Sequence, residues 1–458
     1  MVCSKKQKWT HKLRMLEDAY RQTVTEQALA QQLFGSITDL FPICRSITGS
    51  GVRETLSYLN RISPMEIHEV PSGTEVFDWV IPKEWNIRDA YIKDSSGKRV
   101  VDFQRSNLHV VNYSTPIAGQ FSLEQLRPHL FTLPDQPDLI PYRTSYYEES
   151  WGFCLSQNQL DALPDDEYEV FIDASLEPGS LTYGEIYIPG KSEEEVLISC
   201  HICHPSMAND NLSGMVIAAY LAAHLKSLPL HYSYRFLFVP GTIGSITWLS
   251  LNEQTLPKIQ HGLVLAGLGD PGPLTYKLSR RGDDAIDRAA SHIVCQQSNQ
   301  PPIEFSPYGY DERQYCSPGV DLPVGRLSRT PHGSFPEYHT SADNLDFIQP
   351  KQLADSLMAC LAIFDIIEQN RYYINTKPMG EPQLSKYGLY STTGGNKQSP
   401  EVQMAMLWVL NLSDRRHNLL DIAERSGLSF ETILLAAKKL YKHGLLTQDE
   451  KLWRHNPK

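Results

Sequence analysis

Two histidines and an aspartate fall within ten residues of one another in CHICHPSMANDNLSG, residues 200–214: His201, His204 and Asp210. Neutral imidazoles and a carboxylate are the usual ligands of a catalytic zinc, which takes three protein groups and leaves one position for water or substrate. A lone loop histidine more often bonds backbone, but three such groups together favour a metal. A Cys/His knot built from Cys200, Cys203 and both histidines is the competing arrangement. Consecutive strand residues point to opposite faces, so Cys200 and His201 cannot easily converge on one ion. A second cluster comes late, in FPEYHTSADNLDFI, where His339 has Asp343 and Asp346 nearby to orient its imidazole. In YGYDERQYCSPG, Asp311 and Glu312 are paired carboxylates, suited either to proton transfer or to ordinary loop charge. Tyr276, Lys277, Arg280, Arg281, Arg313 and Arg329 could bind an acidic substrate group, or simply form surface ion pairs.

The elements around these residues alternate. VLISCHIC reads as a strand, SGMVIAAYLAAHLKSL as a helix, YRFLFVP and HGLVLAGLG as strands, and DDAIDRAASHIVCQQ and PKQLADSLMACLAIFDIIEQ as amphipathic helices. That is the habit of an α/β sheet with helices on its faces, and such sheets bind ligands beyond the carboxyl ends of their strands. His201 falls at such an end. The remaining parts divide as a helical segment over 1–75 packing on the core, a β-rich module over 76–189, the α/β core over 190–385, a linker over 386–400 and a final unit over 401–458. In that final unit VQMAMLWVLNL, LLDIAERSGL and FETILLAAKKLYKHGLL predict three helices, with Ser429 capping the third and a closing hairpin, as in a winged helix-turn-helix. The aromatics of the β-rich module, Trp79, Trp85, Tyr146, Tyr147 and Trp151, read as core.

With 458 residues, 41% of them hydrophobic and 21% charged, the chain has material for several folded domains. No stretch approaches the roughly 20 apolar residues of a membrane helix and the start lacks an apolar leader, so a cytoplasmic protein without a membrane partner is expected. The eight cysteines read as reduced thiols. A net charge of −11 repels nucleic acid. The recognition segment of the winged helix offers Lys438, Lys439, Lys442 and His443 against Glu431, a modest basic face. A protein partner or homo-oligomer contact through the winged helix or the β module therefore precedes DNA binding as an expectation.

ANDNLSG resembles the GANDNASG-type motif of the co-catalytic zinc aminopeptidases, the superfamily that also holds glutamate carboxypeptidase and glutaminyl cyclase. EYHTSADNLDFI is similar to its last zinc-ligand motif. The whole chain looks like a set of bacterial aminopeptidase-like proteins, some linked to polysaccharide biosynthesis, which combine FDWVIPKEW, SCHICHPSMANDNLSG, PGTIGSITWL, YCSPG and a terminal winged helix. The resemblance implies a three-layer, phosphorylase/hydrolase-like α/β core with a mixed sheet, a β-rich insertion and a winged helix. It makes Asp210 the metal-bridging carboxylate, His339 the last ligand and His201 the first histidine, with His204 as the alternative for that position. Asp270, in LGDPG, takes roughly the place of another carboxylate ligand.

One departure stands out. The superfamily places two glutamates after the strand matched by YRFLFVP, a general base and a ligand, where this chain has Gly241, Thr242 and Ile243. Glu312, Asp311 and Glu337, in that order, are the candidates to replace the base. Loss of a ligand points to one zinc ion per chain. The function expected is zinc-dependent hydrolysis of an amide in a peptide, aminoacyl or N-acyl amino-sugar substrate. The alternatives are a catalytically silent zinc-binding protein that recognises a ligand, and a DNA-binding regulator.

Overall fold

The computed structural model describes residues 15–389 and 400–448. They divide into two units: residues 24–287 with 302–357, and residues 15–23, 288–301 and 358–448.

A seven-stranded mixed sheet forms the centre of the larger unit, built from β1 (Glu66–Pro71), β2 (Ser180–Ile188), β3 (Glu195–His201), β4 (Ser233–Val239), β5 (Ile259–Leu265), β6 (Thr275–Lys277) and β7 (Val324–Ser328) in the order β1-β2-β4-β3-β5-β7-β6. β4, β3, β5 and β7 run parallel, whereas β1, β2 and β6 pair antiparallel with their neighbours. Every residue of β3 is buried, as a parallel strand covered on both faces requires. The helices α1 (Glu26–Leu40), α2 (Ser50–Ile62), α3 (Gly214–Leu225) and α4 (Ile243–Leu251) belong to this unit. α3 packs on β3 and on both α1 and α2, which explains why it is apolar around almost its whole circumference.

Two boundaries shift from the expected ones. The stretch up to residue 75 is not helical throughout, since EIHEVP forms the edge strand β1, pairing with β2 from Glu66↔Glu185 to Pro71↔Ser180. β2, counted with the module, belongs to the central sheet, so residues 72–179 leave the sheet and return beside their point of departure. They fold around a four-stranded antiparallel sheet of Arg99–Asp102, Glu84–Lys93, Glu167–Glu177 and Ile117–Ser122, in that order, over a core of Ile92, Phe153, Tyr168 and Val170. The module also holds the short helices Leu123–Leu126 and Gln157–Asp161, each closed by a Ser/Gln capping box. Trp85 is core at 3% exposure, but Trp79 and Tyr147 are 44% and 49% exposed, contrary to the expectation that all these aromatics are interior.

In the smaller unit the helices Pro400–Leu412, Leu419–Ser426 and Phe430–Lys442 match the predicted three, and Ser429 Oγ accepts from Thr432 N at 3.2 Å as the cap. Asn418 and Asp421 form a capping box on the second helix, which ends at Gly427 with φ 70°. The sheet of this winged helix takes its central strand from Tyr372–Asn375, flanked by Asp414–Asn418 and Leu446–Gln448, so the unit begins before residue 401. Most of the predicted linker and the second half of the closing hairpin lie outside the described residues.

No helix among the described residues is long and apolar enough to cross a membrane. Among the described residues six cysteines are free thiols and Cys295 is disulfide-bonded, which departs from the expectation of eight reduced residues.

Candidate metal centre

β3 ends at His201, paired with Val239 at the end of β4, and the chain then turns through residues 202–213 across the carboxyl edge of the sheet. Asp210 is the centre of what assembles there. Its Oδ1 lies 2.8 Å from His201 Nε2 and 4.0 Å from His204 Nδ1, and its Oδ2 lies 3.1 Å from His339 Nε2. Donor atoms of His201, His204 and Asp210 all lie within 4.8 Å of one another. His204 Nδ1 is shielded from solvent without a hydrogen-bond partner, a lone pair with nothing to accept. Three imidazoles around one carboxylate, one of them with an orphaned nitrogen, form a donor set that fits zinc. Neither cysteine thiol joins it: Cys200 faces Leu237 O at 3.6 Å and Cys203 faces Gly241 O at 3.7 Å.

The electrostatics follow from burial. Burial pushes the His204 imidazole well below its usual range, favouring the neutral ring that can ligate. Burial alone would raise the Asp210 carboxyl, but His204 and His201 outweigh it and hold the group ionised, well below the usual range.

The polar residues flanking Asp210 lock the loop in place. Asn209 Oδ1 accepts from Gly269 N at 2.8 Å, Asn211 Oδ1 accepts from Gly267 N at 3.2 Å, and Ser213 Oγ accepts from Leu268 N at 2.9 Å. In this way NDNLS fastens itself to the loop after β5 and leaves the Asp210 carboxylate facing the histidines, with Asn211 Nδ2 lying 3.4 Å from His201 Nδ1. Asp343 accepts from the backbone N–H groups of Asn209 and Asp210 at 2.6 and 3.0 Å. Burial raises the Asp343 carboxyl to about 8, against the pull of those N–H groups. His339 is presented from a left-handed backbone conformation with φ 54°, and its carbonyl accepts from Tyr142 N at 2.8 Å.

Three tyrosines that sequence reasoning missed enclose the cluster. Tyr142 meets both His204 and His339 edge-on at 5.0 and 5.1 Å, Tyr310 stacks on His201 at 4.8 Å, and Tyr338 stacks on His339 at 4.0 Å. Tyr310 and Tyr338 adjoin singled-out residues in sequence, a signal that was there to use. Tyr142 lies in the β module and carries no local signal.

The other expected residues are placed differently. The Asp270 oxygens take Asn209 Nδ2 at 3.1 Å, Gly272 N at 2.8 Å and Thr330 Oγ1 at 2.6 Å, bonds that brace its loop against the Asp210 segment. Glu312, fully buried, accepts from Lys277 Nζ at 2.9 Å and lies 3.5 Å from Arg326, so its charge is taken up by two buried cations. Glu337 enters the bonding of its loop through its carbonyl, which accepts from Thr340 N. Asp311 is the exception. Ser245 Oγ donates to its Oδ1 at 2.7 Å and its Oδ2, like Glu312 Oε2, is buried without a partner, but among the described residues no Lys or Arg pairs with it as Lys277 and Arg326 do with Glu312. A Cβ added to Gly241 would lie 3.4 Å from that Oδ2 and 3.0 Å from His201 Cβ. The Asp311 carboxylate thus reaches, from another loop, the space above the residue where the expected glutamates are missing. Burial raises its carboxyl, with His201 opposing. Of the basic set, Arg280 and Arg281 pair with Asp321, and Tyr276 donates to Asp287 at 2.9 Å.

A mixed sheet with a His/Asp cluster at its carboxyl edge, a locked NDNLS loop and a late histidine define an aminopeptidase-like α/β protein with a winged helix. Residues 34–370 match the family described as a domain of unknown function (DUF4910), and residues 371–448 match a winged helix-turn-helix family. The chain belongs to this family of aminopeptidase-like proteins. It is 51% identical over 416 residues, 91% of this chain and 96% of the other, to a Clostridium acetobutylicum protein named as a candidate polysaccharide biosynthesis protein with an aminopeptidase-like domain. A crystal structure described as that of a candidate peptidase from Clostridium acetobutylicum is similar at a TM-score of 0.90 and 48% identity, covering 95% of this chain and 100% of the other. BSAP, a zinc aminopeptidase from Bacillus subtilis, shares the fold at a TM-score of 0.53 and 12% identity, over 73% of this chain and 94% of its own.

Proposed function

We propose that the chain is a zinc-dependent hydrolase of an amide bond, in a peptide, aminoacyl or N-acyl amino-sugar substrate, and that it acts in polysaccharide biosynthesis, as the name of its Clostridium acetobutylicum relative suggests. The observation that carries the proposal is the Asp210 carboxylate bracketed by His201, His339 and His204. His201, His204 and Asp210 would hold one zinc ion, with His339 closing on the second oxygen of Asp210. Bound there, zinc would supply a Lewis acid and an acidified water.

Proton movement falls to the chain itself. Asp311 replaces Glu312 as the first candidate: its free Oδ2 can accept a proton and return it to the leaving amine, while Ser245 fixes the other oxygen. Tyr142, Tyr310 and Tyr338 would wall off bulk water, and Asn209, Asn211 and Asp343 would hold Asp210 in position. The substitution of the two glutamates by Gly241 and Thr242 favours a second reading, a silent zinc site that recognises a ligand.

Elemental analysis of protein purified without added metal, followed by an amide panel, tests the first reading. About one zinc per chain with turnover supports it. Zinc without turnover on any amide leaves the silent reading, and no metal at all removes both.

A further inference from the structure

Beside the metal cluster lies a cavity of about 230 Å³ walled by Trp79, Tyr146 and Tyr147 of the β module, Gly241 and Thr242 after β4, and Arg313, with isoleucine side chains filling its base. Two contacts join it to the cluster. Gly241 forms part of its wall and abuts His201, and the Tyr146 hydroxyl lies 3.0 Å from that of Tyr142, the ring packed on His204 and His339. Trp79 and Tyr147 are half-exposed and tilted against each other at 5.3 Å, so aromatic surface that the core does not cover lines the cavity. Tyr147 holds φ 69°, an uncommon conformation for a bulky residue. Arg313 Nε is shielded from water and has no hydrogen-bond partner, a buried donor that awaits an acceptor. The volume lies below the roughly 300–1,000 Å³ of a complete ligand site, which limits the occupant to about one ring.

We infer that this cavity is a substrate subsite for a six-membered ring bearing a carboxylate: the ring lies against Trp79 and Tyr147, and the carboxylate accepts from Arg313. Aromatic faces take either the apolar face of a sugar or an aromatic ring, so a uronic acid and an aromatic acid share the chemistry. The assignment as a substrate subsite rests on the hydrolase reading; the binding itself does not.

Titration calorimetry of the full chain, zinc-loaded and zinc-free, with D-glucuronate, benzoate and D-glucose tests the inference. At least one of the two acids binds, glucose binds roughly tenfold or more weakly, and Arg313→Gln and Trp79→Ala each weaken the acid by a similar factor. Arg313→Lys and Trp79→Phe, which keep the charge and the ring, recover part of the affinity and exclude misfolding as the cause. Binding of glucuronate alone identifies a sugar, and binding of benzoate alone an aromatic acid. The inference is overturned if neither acid binds, if glucose binds equally well, if the variants bind like the wild type, or if binding vanishes without zinc, since the acid would then be ligating the metal. Zinc-independent binding with no amide turnover leaves the subsite standing and removes the hydrolase.

Discussion

Two neighbouring parallel strands end in loops of opposite character. After β3 the chain carries histidines and an NDNLS segment in which nearly every polar atom has a partner, so that one carboxylate is left to face the imidazoles. After β4, paired with it up to His201↔Val239, the chain carries Gly241 and Thr242 and brings no carboxylate of its own. The nearest acid comes from elsewhere, through Asp311. On the hydrolase reading proposed above, holding a metal and moving a proton fall to separate loops, and substitutions can damage either one alone.

Asp210→Ala attacks the first loop and has the largest expected effect: zinc content falls from about one per chain to near zero, read by elemental analysis. Asp311→Asn attacks the second. It should lower turnover by about 10²–10⁴-fold while zinc content stays at the wild-type level. A simultaneous loss of zinc would place Asp311 among the ligands and collapse the distinction between the loops. Glu312→Ala damages neither function directly, but it strands Lys277 and Arg326 in the interior. Thermal and denaturant unfolding should show a loss of about 3–5 kcal/mol. An unchanged stability with abolished turnover would instead return Glu312 to the role of base.

The NDNLS brace is tested more gently by Asn211→Ala, which leaves the buried backbone N–H of Gly267 unpaired and takes the side-chain donor from Leu265 O, and should cost about 1–3 kcal/mol in denaturant unfolding. His261 sharpens the contrast from a distance. It lies on β5, buried with no partner at Nδ1 and no carboxylate beside it, and burial lowers its pKa from 6.5 to about 4. The unfolded chain takes up that proton near 6.5 and the folded chain only near 4, so stability falls as pH drops through this window. In His261→Gln the stability profile over the same range should be flatter.

The parts legible in the sequence were those in which neighbours along the chain are neighbours in space. His201, His204 and Asp210 share one loop, so their spacing announced them, and the three helices of the winged unit carry helical periodicity and caps within their own segments. What stayed hidden depends on packing between distant segments. Nothing around Tyr142 indicates that its ring meets two histidines some 60 and 200 positions away, as the numbering 142, 204 and 339 shows. Glu312 and Asp311 are adjacent in sequence and each keeps one unpartnered oxygen, yet Glu312 is neutralised by Lys277 and Arg326 while Asp311 is met by Ser245, a difference set by β6, β7 and α4. EIHEVP is too short and too polar on its exposed face to be told from a helix end without its partner β2.

Because Pro71 and Ser180 are partners across β1 and β2, residues 72–179 are topologically one hairpin turn that has grown into a domain. A two-residue turn could close the same two strands without altering the register of any other. Exchange of this one segment would therefore replace the aromatic wall beside the metal cluster while leaving its three histidines and its aspartate in place. On the hydrolase reading, new substrate preferences can then arise by insertion and swapping at a single point of the chain, with no mutation among the residues around Asp210.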